Sequence, residues 1–320
     1  MIHLSVKDLI MPYFVVEGRG RREAVRSMPG IFRLSVDKLL PEVREAADLG
    51  IRRVLLFGVC PPRHKDSRGS YAYSPEGIIP KAVRALKQAI KEVTVITDVC
   101  LCAYTDYGHC GVIRRWKIED RRSKWYIDNP ATLKILSKIA LAHSEAGADW
   151  VAPSAMAKGQ VLAIREALDK PGFQKVKILG YSAKFASNFY GPFREAASSA
   201  PQFGDRRAYQ LDFTDGKTAL KEISADIKEG ADMVMVKPAL SYLDVVKAAS
   251  QQFKLGLAAF NTSGEYAMVK YGAKLGLWNE KKMVWEISSA IKRAGADFII
   301  SYHAKEIAQW IKELNWPNNI

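Results

Sequence analysis

Three cysteines crowd the stretch TVITDVCLCAYTDYGHCG at residues 94–111. Cys100 and Cys102 are two residues apart, so on an extended strand both would face the same side as Asp98. The polar stretch that follows contains a glycine and can fold back to bring Cys110 to them. Three thiolates suit a tetrahedral zinc site whose fourth position stays open to water or substrate.

Two features of this cluster leave alternatives. His109 stands next to Cys110 and offers either a fourth ligand or a supporting contact in the loop. Buried cysteines without a metal are common, so a purely structural role for the three thiols is the other interpretation. The fourth cysteine, Cys60, lies far away in sequence, which argues against a disulfide scaffold and favours the cytoplasm.

Two lysines close apolar, strand-like runs, Lys184 at the end of 176–184 and Lys237 at the end of 232–237. A buried ammonium is costly, and two of them on neighbouring strands would repel each other. Both effects lower the pKa of an amine and leave a neutral nucleophile that can attack a ketone. The pattern predicts Schiff-base chemistry; the alternative is that each lysine extends along the surface to water.

Further polar residues stand at predicted strand ends, where they are either substrate contacts or ordinary strand termini: Asp98, Ser154, Ser263 and Tyr302. The longest irregular stretch, 187–214, is predicted to be an active-site lid. Within it, Arg194 and Arg206 could hold a carboxylate, because a guanidinium matches it with two parallel hydrogen bonds. Surface arginines are the alternative.

The elements that must position these residues alternate along the chain. Eight strands are predicted, at 11–16, 53–59, 93–101, 149–154, 176–184, 232–237, 256–263 and 297–302. Helical patterns follow most of them, at 36–49, 82–90, 132–146, 219–229 and 283–294. A Gly-Ala-Asp junction recurs between helix and strand at 147, 230 and 295. We therefore predict one domain over 1–320, an α/β TIM (β/α)8 barrel with a short N-terminal arm at 1–10. A doubly wound open sheet is the second choice, but no G-x-G-x-x-G follows the first strand.

Composition narrows the functional classes. The 320 residues are 48% hydrophobic and 26% charged, as in soluble globular proteins, and no apolar run is long enough for a membrane span. The net charge of +14 raises the question of nucleic acid. Because the basic residues are scattered and no nucleic-acid-binding motif accompanies them, we expect neither nucleic acid nor membrane as a partner.

Several motifs together resemble the zinc-dependent delta-aminolevulinic acid dehydratases, also called porphobilinogen synthases. They are SMPGIFRLS at 27, DVCLCAYTDYGHCG at 98, VAPSAMAKGQV at 151, YSAKFASNFYGPFREAA at 181, FGDRRAYQ at 203, GADMVMVKPALSYLD at 230, TSGEYAMVK at 262 and IKRAGADFIISY at 291. The resemblance extends over nearly the whole chain from Met11 onward.

This resemblance implies that two molecules of 5-aminolevulinate condense to porphobilinogen in tetrapyrrole (heme) biosynthesis. It implies a Schiff base of the first substrate with Lys237 and of the second with Lys184. Zinc on the three cysteines would act as a Lewis acid. By the same resemblance, Ser263 and Tyr302 hold the first carboxylate, whereas Arg194, Arg206 and Gln210 face the second. Glu222 matches the ligand of an allosteric magnesium, and the family assembles as an octamer.

Some positions depart from the usual family pattern. Lys158 stands where an acidic residue is common, near the expected metal and second-substrate site, and Phe260, Asn261 and His303 are also unusual. The arm that helps to build the octamer is short, so we expect a homo-oligomer but predict no number of subunits. Two rival functions remain: a Schiff-base aldolase, which needs one lysine and no metal, and an inactive relative that binds a partner or nucleic acid.

Overall fold

The computed structural model of the chain describes residues 4–117 and 123–314. Its strands are β1 Leu9–Val16, β2 Arg22–Ala24, β3 Phe32–Leu34, β4 Arg53–Val59, β5 Thr94–Val99, β6 Ile113–Lys117, β7 Ser123–Ile127, β8 Trp150–Pro153, β9 Lys177–Lys184, β10 Met233–Lys237, β11 Gly256–Asn261 and β12 Phe298–Ser301. Its α-helices are α1 Val36–Asp48, α2 Ile78–Ala89, α3 Asn129–Glu145, α4 Gln160–Asp169, α5 Gly191–Ala196, α6 Gly216–Lys228, α7 Leu243–Gln252, α8 Ser263–Lys274, α9 Glu280–Ala294 and α10 Ala304–Leu314.

Eight parallel strands form a closed barrel in the order β1, β4, β5, β8, β9, β10, β11, β12, and β12 pairs back with β1. Helices connect successive barrel strands and cover the outside. This arrangement confirms the predicted TIM barrel and excludes the open sheet, because closure leaves neither edge unpaired. Outside the barrel, β2 and β3 form a small extension beside β1, and β6 pairs with β7 as a hairpin.

Apolar side chains fill both faces of the strands. All eight residues of β1 are buried, so the strand is a continuous apolar run, as in parallel sheets covered on both sides. One cluster, including Phe14, Tyr181 and Phe260, fills the barrel interior. A larger cluster packs the strands against the surrounding helices. The aromatic interior cluster matters for function because it extends to the carboxyl ends of the strands.

The repeated Gly-Ala-Asp junction has a defined role at the opposite end of the barrel. Gly147, Gly230 and Gly295 have φ values of +99°, +98° and +109°, the left-handed conformation that ends a helix. Each aspartate then accepts a hydrogen bond of 2.8 Å from a backbone N–H of a neighbouring strand; the pairs are Asp149 with Val95, Asp232 with Ile178 and Asp297 with Leu257. The junction therefore fixes where a helix stops and which strand its successor joins.

Three expected boundaries are wrong. The third strand is predicted to extend to residue 101 and to carry Cys100 and Cys102 at its end, but β5 ends at Val99, so both cysteines lie in the turn beyond it. The seventh strand is predicted to reach Ser263, but β11 ends at Asn261 and Ser263 is the first residue of α8. The sequence Thr-Ser-Gly-Glu at 262–265 is a helix-start signal that could have corrected this boundary. The stretch 187–214 is not wholly irregular, because it contains α5.

The sequence prediction also missed several elements, among them α4, α7, α8, α10 and the β6–β7 hairpin. In α8, exposed residues are few and seven of the twelve residues are buried, so the polar face that marks a surface helix is narrow. Among the described residues, no helix has the length and apolarity needed to cross a bilayer.

Candidate active site

Lys184 and Lys237 are the last residues of β9 and β10 and are direct partners across these two strands. Both side chains are buried, at 7% and 3% exposure. The Nζ of Lys184 donates a hydrogen bond of 2.5 Å to the carbonyl oxygen of Ser154, the residue directly after β8. The barrel thus brings together the two amines that the sequence placed on consecutive strands.

Aromatic rings surround the amine of Lys237. Its Nζ lies 4.0 Å from the ring centroid of Phe260. The neighbouring rings lie at 5.0 to 5.8 Å and belong to Phe193, Tyr181, Tyr190 and Phe57. Burial, together with the positive charge of Lys184, lowers the pKa of Lys237 to about 7. A large fraction of this amine is therefore neutral near pH 7, as a nucleophile requires.

The three cysteines that follow β5 also converge. The sulfur atoms of Cys100, Cys102 and Cys110 all lie within 4.8 Å of one another, and all three residues are buried. The Sγ of Cys100 lies 3.5 Å from that of Cys102. Hydrogen bonds from the other two thiols lower the pKa of Cys110, so these contacts alone stabilise one thiolate. Three close, buried sulfurs with a stabilised thiolate fit a soft divalent cation such as zinc.

His109 is not part of this sulfur cluster. Its Nδ1 lies 3.1 Å from the hydroxyl of Tyr209, and its Nε2 lies 2.8 Å from the carbonyl oxygen of Phe203. Since both ring nitrogens have partners, the supporting role is the one the structure favours. The backbone N–H of Cys110 also donates to the Tyr209 hydroxyl, at 3.4 Å. His109 and Tyr209 therefore connect the cysteine loop to residues of the 187–214 stretch.

A small cavity joins the amines to the sulfur cluster. Asp98, Cys102, Ser154, both lysines and Arg206 line it together with aromatic side chains. One carboxylate oxygen of Asp98, Oδ1, is buried and has no hydrogen-bond partner among the described residues. Burial raises the pKa of Asp98, against the opposing charge of Lys184. An unsatisfied acceptor beside two amines is a position where a substrate hydrogen-bond donor would be favourable.

Arg194, Arg206 and Gln210 line a larger neighbouring cavity of about 960 Å³. Arg206 is 3% exposed, and its Nη2 donates to the carbonyl oxygens of Gly108, at 3.0 Å, and of Ser199. The Nε atoms of both arginines and both amide atoms of Gln210 are buried without partners among the described residues. Burial and the nearby Arg206 charge lower the pKa of Arg194. These unused donors form a site that suits a carboxylate.

Ser263 and Tyr302 differ in their availability. The Ser263 hydroxyl donates to the carbonyl oxygen of Phe189 at 3.1 Å and accepts from the N–H of Phe193 at 3.0 Å. A side chain at Gly264 would come within 2.5 Å of the Phe189 carbonyl oxygen. The backbone at Phe189, in the stretch 187–214, therefore packs directly on the start of α8. The Tyr302 hydroxyl, in contrast, is buried and has no partner in the described part of the chain.

Comparison with known proteins identifies this arrangement. The family model of delta-aminolevulinic acid dehydratase matches residues 1–310. The chain belongs to the delta-aminolevulinic acid dehydratase family. It is 49% identical over 310 residues to the enzyme of that name from Synechocystis sp., covering 97% of this chain and 93% of the relative. It is 48% identical over 306 residues to that of Archaeoglobus fulgidus, covering 96% and 91%.

A solved dehydratase has the same fold. The crystal structure of delta-aminolevulinic acid dehydratase (porphobilinogen synthase) from Toxoplasma gondii, in complex with the reaction product porphobilinogen, has a TM-score of 0.92 and 42% identity. The alignment covers 98% of this chain and 87% of that one. The family, the hydro-lyase class and the place in tetrapyrrole biosynthesis predicted from the sequence are thereby confirmed.

Two residues that the sequence analysis named, Glu222 and Lys158, lie apart from the two lysine amines. Glu222 and Lys158 line a separate cavity of about 310 Å³, together with the acidic Asp226 and Glu229. Neither residue lines the cavity that holds the lysine pair, although Gln210 borders both this cavity and the larger one. Lys158 therefore borders this acidic cavity and not the cavity that contains Cys102.

The sequence prediction missed some residues that surround the dehydratase site. The rings around Lys237 come from several elements, and no local pattern would bring them together. Glu265 was also missed. It is 1% exposed and accepts hydrogen bonds from the backbone next to Lys237 and from Thr262. The capping-box spacing between Thr262 and Glu265 was the available signal.

Proposed function

We propose that the chain condenses two molecules of 5-aminolevulinate into porphobilinogen through Schiff bases at Lys237 and Lys184. The observation that carries this proposal is the pairing of two buried amines across β9 and β10, in one cavity with a cysteine of the sulfur cluster. A single-lysine aldolase would need neither the second amine nor the three sulfurs.

Lys237 acts first in this proposal. Its neutral amine attacks the ketone carbon of one substrate, the ketone oxygen leaves as water, and an imine remains on Nζ. The aromatic rings around Nζ limit access of bulk water and keep the amine partly neutral. Tyr302, whose hydroxyl is free among the described residues, donates to the carboxylate of this substrate, with Ser263. To donate as well, Ser263 must exchange its bond to Phe189.

Lys184 forms the corresponding imine with the second substrate. The unused donors of Arg194, Arg206 and Gln210 hold the carboxylate of that molecule. Asp98 and Ser154 lie within the same small cavity as both amines, where they contact the substrates and hold or receive protons. The stretch 187–214 serves as the lid, because it supplies Arg194, Arg206 and the residues that bond Ser263.

Cys100, Cys102 and Cys110 hold zinc in this proposal, since soft sulfur donors in a buried, compact set suit that ion. When bound, zinc supplies Lewis-acid polarisation to the second substrate. Glu222 is proposed as the ligand of a magnesium ion, supported by the acidic lining of its cavity. We also propose a homo-oligomer, an octamer by resemblance, in the cytoplasm, where the four free cysteines would stay reduced.

The first experiment incubates the purified protein with 5-aminolevulinate and measures porphobilinogen colorimetrically. We expect product that disappears with a zinc chelator and returns when zinc is added. Product that is indifferent to chelation would retain the reaction but remove the metal from the proposal. Absence of product with any metal would contradict the proposed reaction.

A further inference from the structure

The carboxylate of Glu265 connects two backbone segments that border the lysine site. Its Oε1 accepts from the N–H of Leu240, and its Oε2 lies 3.5 Å from the N–H of Ala239. Its Oε2 also accepts from the N–H of Thr262. Ala239 and Leu240 follow Lys237 by two and three residues, whereas Thr262 immediately precedes Ser263. One side chain is therefore bonded to the segments that carry both of these residues.

This contact is more than a helix cap. Capping α8 requires only the bond between Glu265 and Thr262, within one turn. The bonds to Leu240 and Ala239 span 25 and 26 residues. They join the connection that follows β10 to the connection that follows β11. They tie the backbone after β10 to the start of α8.

Burying this carboxylate is costly. Glu265 is 1% exposed, and no salt bridge to it is present in residues 4–117 and 123–314. Burial raises the pKa of Glu265 to about 7, although its three backbone donors oppose that change. Because the backbone N–H groups supply its partners, the carboxylate is satisfied only while both segments keep their present positions.

We propose that Glu265 is a positioning residue that fixes the Lys237 amine relative to the carboxylate contact at Ser263. The inference rests on the proposed function, in which one substrate molecule touches both Lys237 and Ser263. A ketone bound to Lys237 and a carboxylate bound at α8 belong to the same small molecule, so a shift of either segment misaligns it. Loss of alignment lowers the rate of imine formation even when both segments stay folded.

The test compares two ketones by borohydride trapping. One is 4-oxopentanoate, which has the ketone and the carboxylate of the substrate; the other is pentan-2-one, which lacks the carboxylate. Trapping rates at Lys237 are measured by peptide mass mapping, which separates this lysine from Lys184. The ratio of the two rates reports carboxylate-assisted alignment, and a general loss of stability does not change it.

We expect Glu265→Gln to reduce this ratio by about tenfold, because the amide nitrogen donates and cannot accept, so the N–H groups bonded to one of the two carboxylate oxygens lose their acceptor. Asp297→Asn is the matched control: its carboxylate bonds the N–H of Leu257 at the opposite end of β11, so the ratio should keep its wild-type value. Glu265→Asp, one methylene shorter, replaces the glutamine variant if that variant does not fold. An unchanged ratio in a folded Glu265 variant would overturn the proposal. A wild-type ratio near one would instead contradict the proposed carboxylate contacts.

Discussion

Lys184 and Lys237 are register partners at the ends of β9 and β10, and burial together with the charge of Lys184 lowers the pKa of Lys237. Closure of the barrel places this pair beside the turn that carries the cysteines, since the carboxyl ends of all eight strands meet at one end. The sulfur cluster and the arginine site each lie within one connection, after β5 and after β9, and barrel closure brings both beside the lysine pair.

The pH dependence of imine formation follows from this pair. Since the pKa of Lys237 is lowered to about 7, its amine is protonated and inactive at lower pH and becomes neutral as the pH rises. Trapping of 4-oxopentanoate at Lys237 should therefore increase through pH 7 and level off above it. Lys184→Met removes the neighbouring charge, so the midpoint should rise by roughly one pH unit. A midpoint that stays the same or falls would show that Lys184 does not tune Lys237.

Metal binding should depend on the sulfur cluster and not on cysteine content in general. Cys102→Ser removes one of three close donors and should reduce the purified protein from about one zinc per chain to a small fraction of that, with loss of porphobilinogen formation. Cys60→Ser is the control, because Cys60 is equally buried but lies outside the cluster. Elemental analysis of dialysed protein measures the zinc. Equal zinc in both variants would count against a cysteine site.

The second carboxylate should depend on the buried arginine. Arg206→Ala removes an unused buried donor and the bonds to Gly108 and Ser199, and should raise KM by about tenfold to a hundredfold. The control is the exposed Arg293, which lies in the last turn of α9 and lines neither cavity, so Arg293→Ala should change KM less than about twofold. Steady-state kinetics with 5-aminolevulinate measure the KM of each variant. Similar KM values for both variants would remove Arg206 from the substrate site.

The stretch 187–214 should become protected when substrate binds. Trypsin can cleave at Arg207, which is exposed, and substrate held by Arg194 and Arg206 should slow that cleavage by about tenfold or more. Lys254 is exposed just before β11, at the opposite end of the barrel. Cleavage there should proceed at the same rate with and without substrate. Time-resolved mass spectrometry follows both sites. A rate at Arg207 that saturating substrate leaves unaltered would contradict a role as lid.

The amino-acid sequence by itself determined the barrel and the chemistry-bearing residues. The apolar strands and the left-handed glycines are local signals, because each glycine ends a helix within its own turn. The aspartate two residues later bonds a neighbouring strand, so its partner is not a local signal. The two lysines could be paired in advance, since consecutive parallel strands of a barrel are neighbours. Side-chain alternation along a strand predicted that the cysteines converge, but they do so in a turn after β5 and not along the strand.

Only the tertiary structure decided how these residues are supported. The partners of Ser263 lie 70 and 74 residues away, and those of His109 lie 94 and 100 residues away, in the stretch 187–214. No periodic pattern encodes such contacts. They form because closure of the barrel buries the polar groups of separate connections together, where each buried donor and acceptor must find a partner. The position of Glu265 between the Lys237 segment and Ser263 has the same origin.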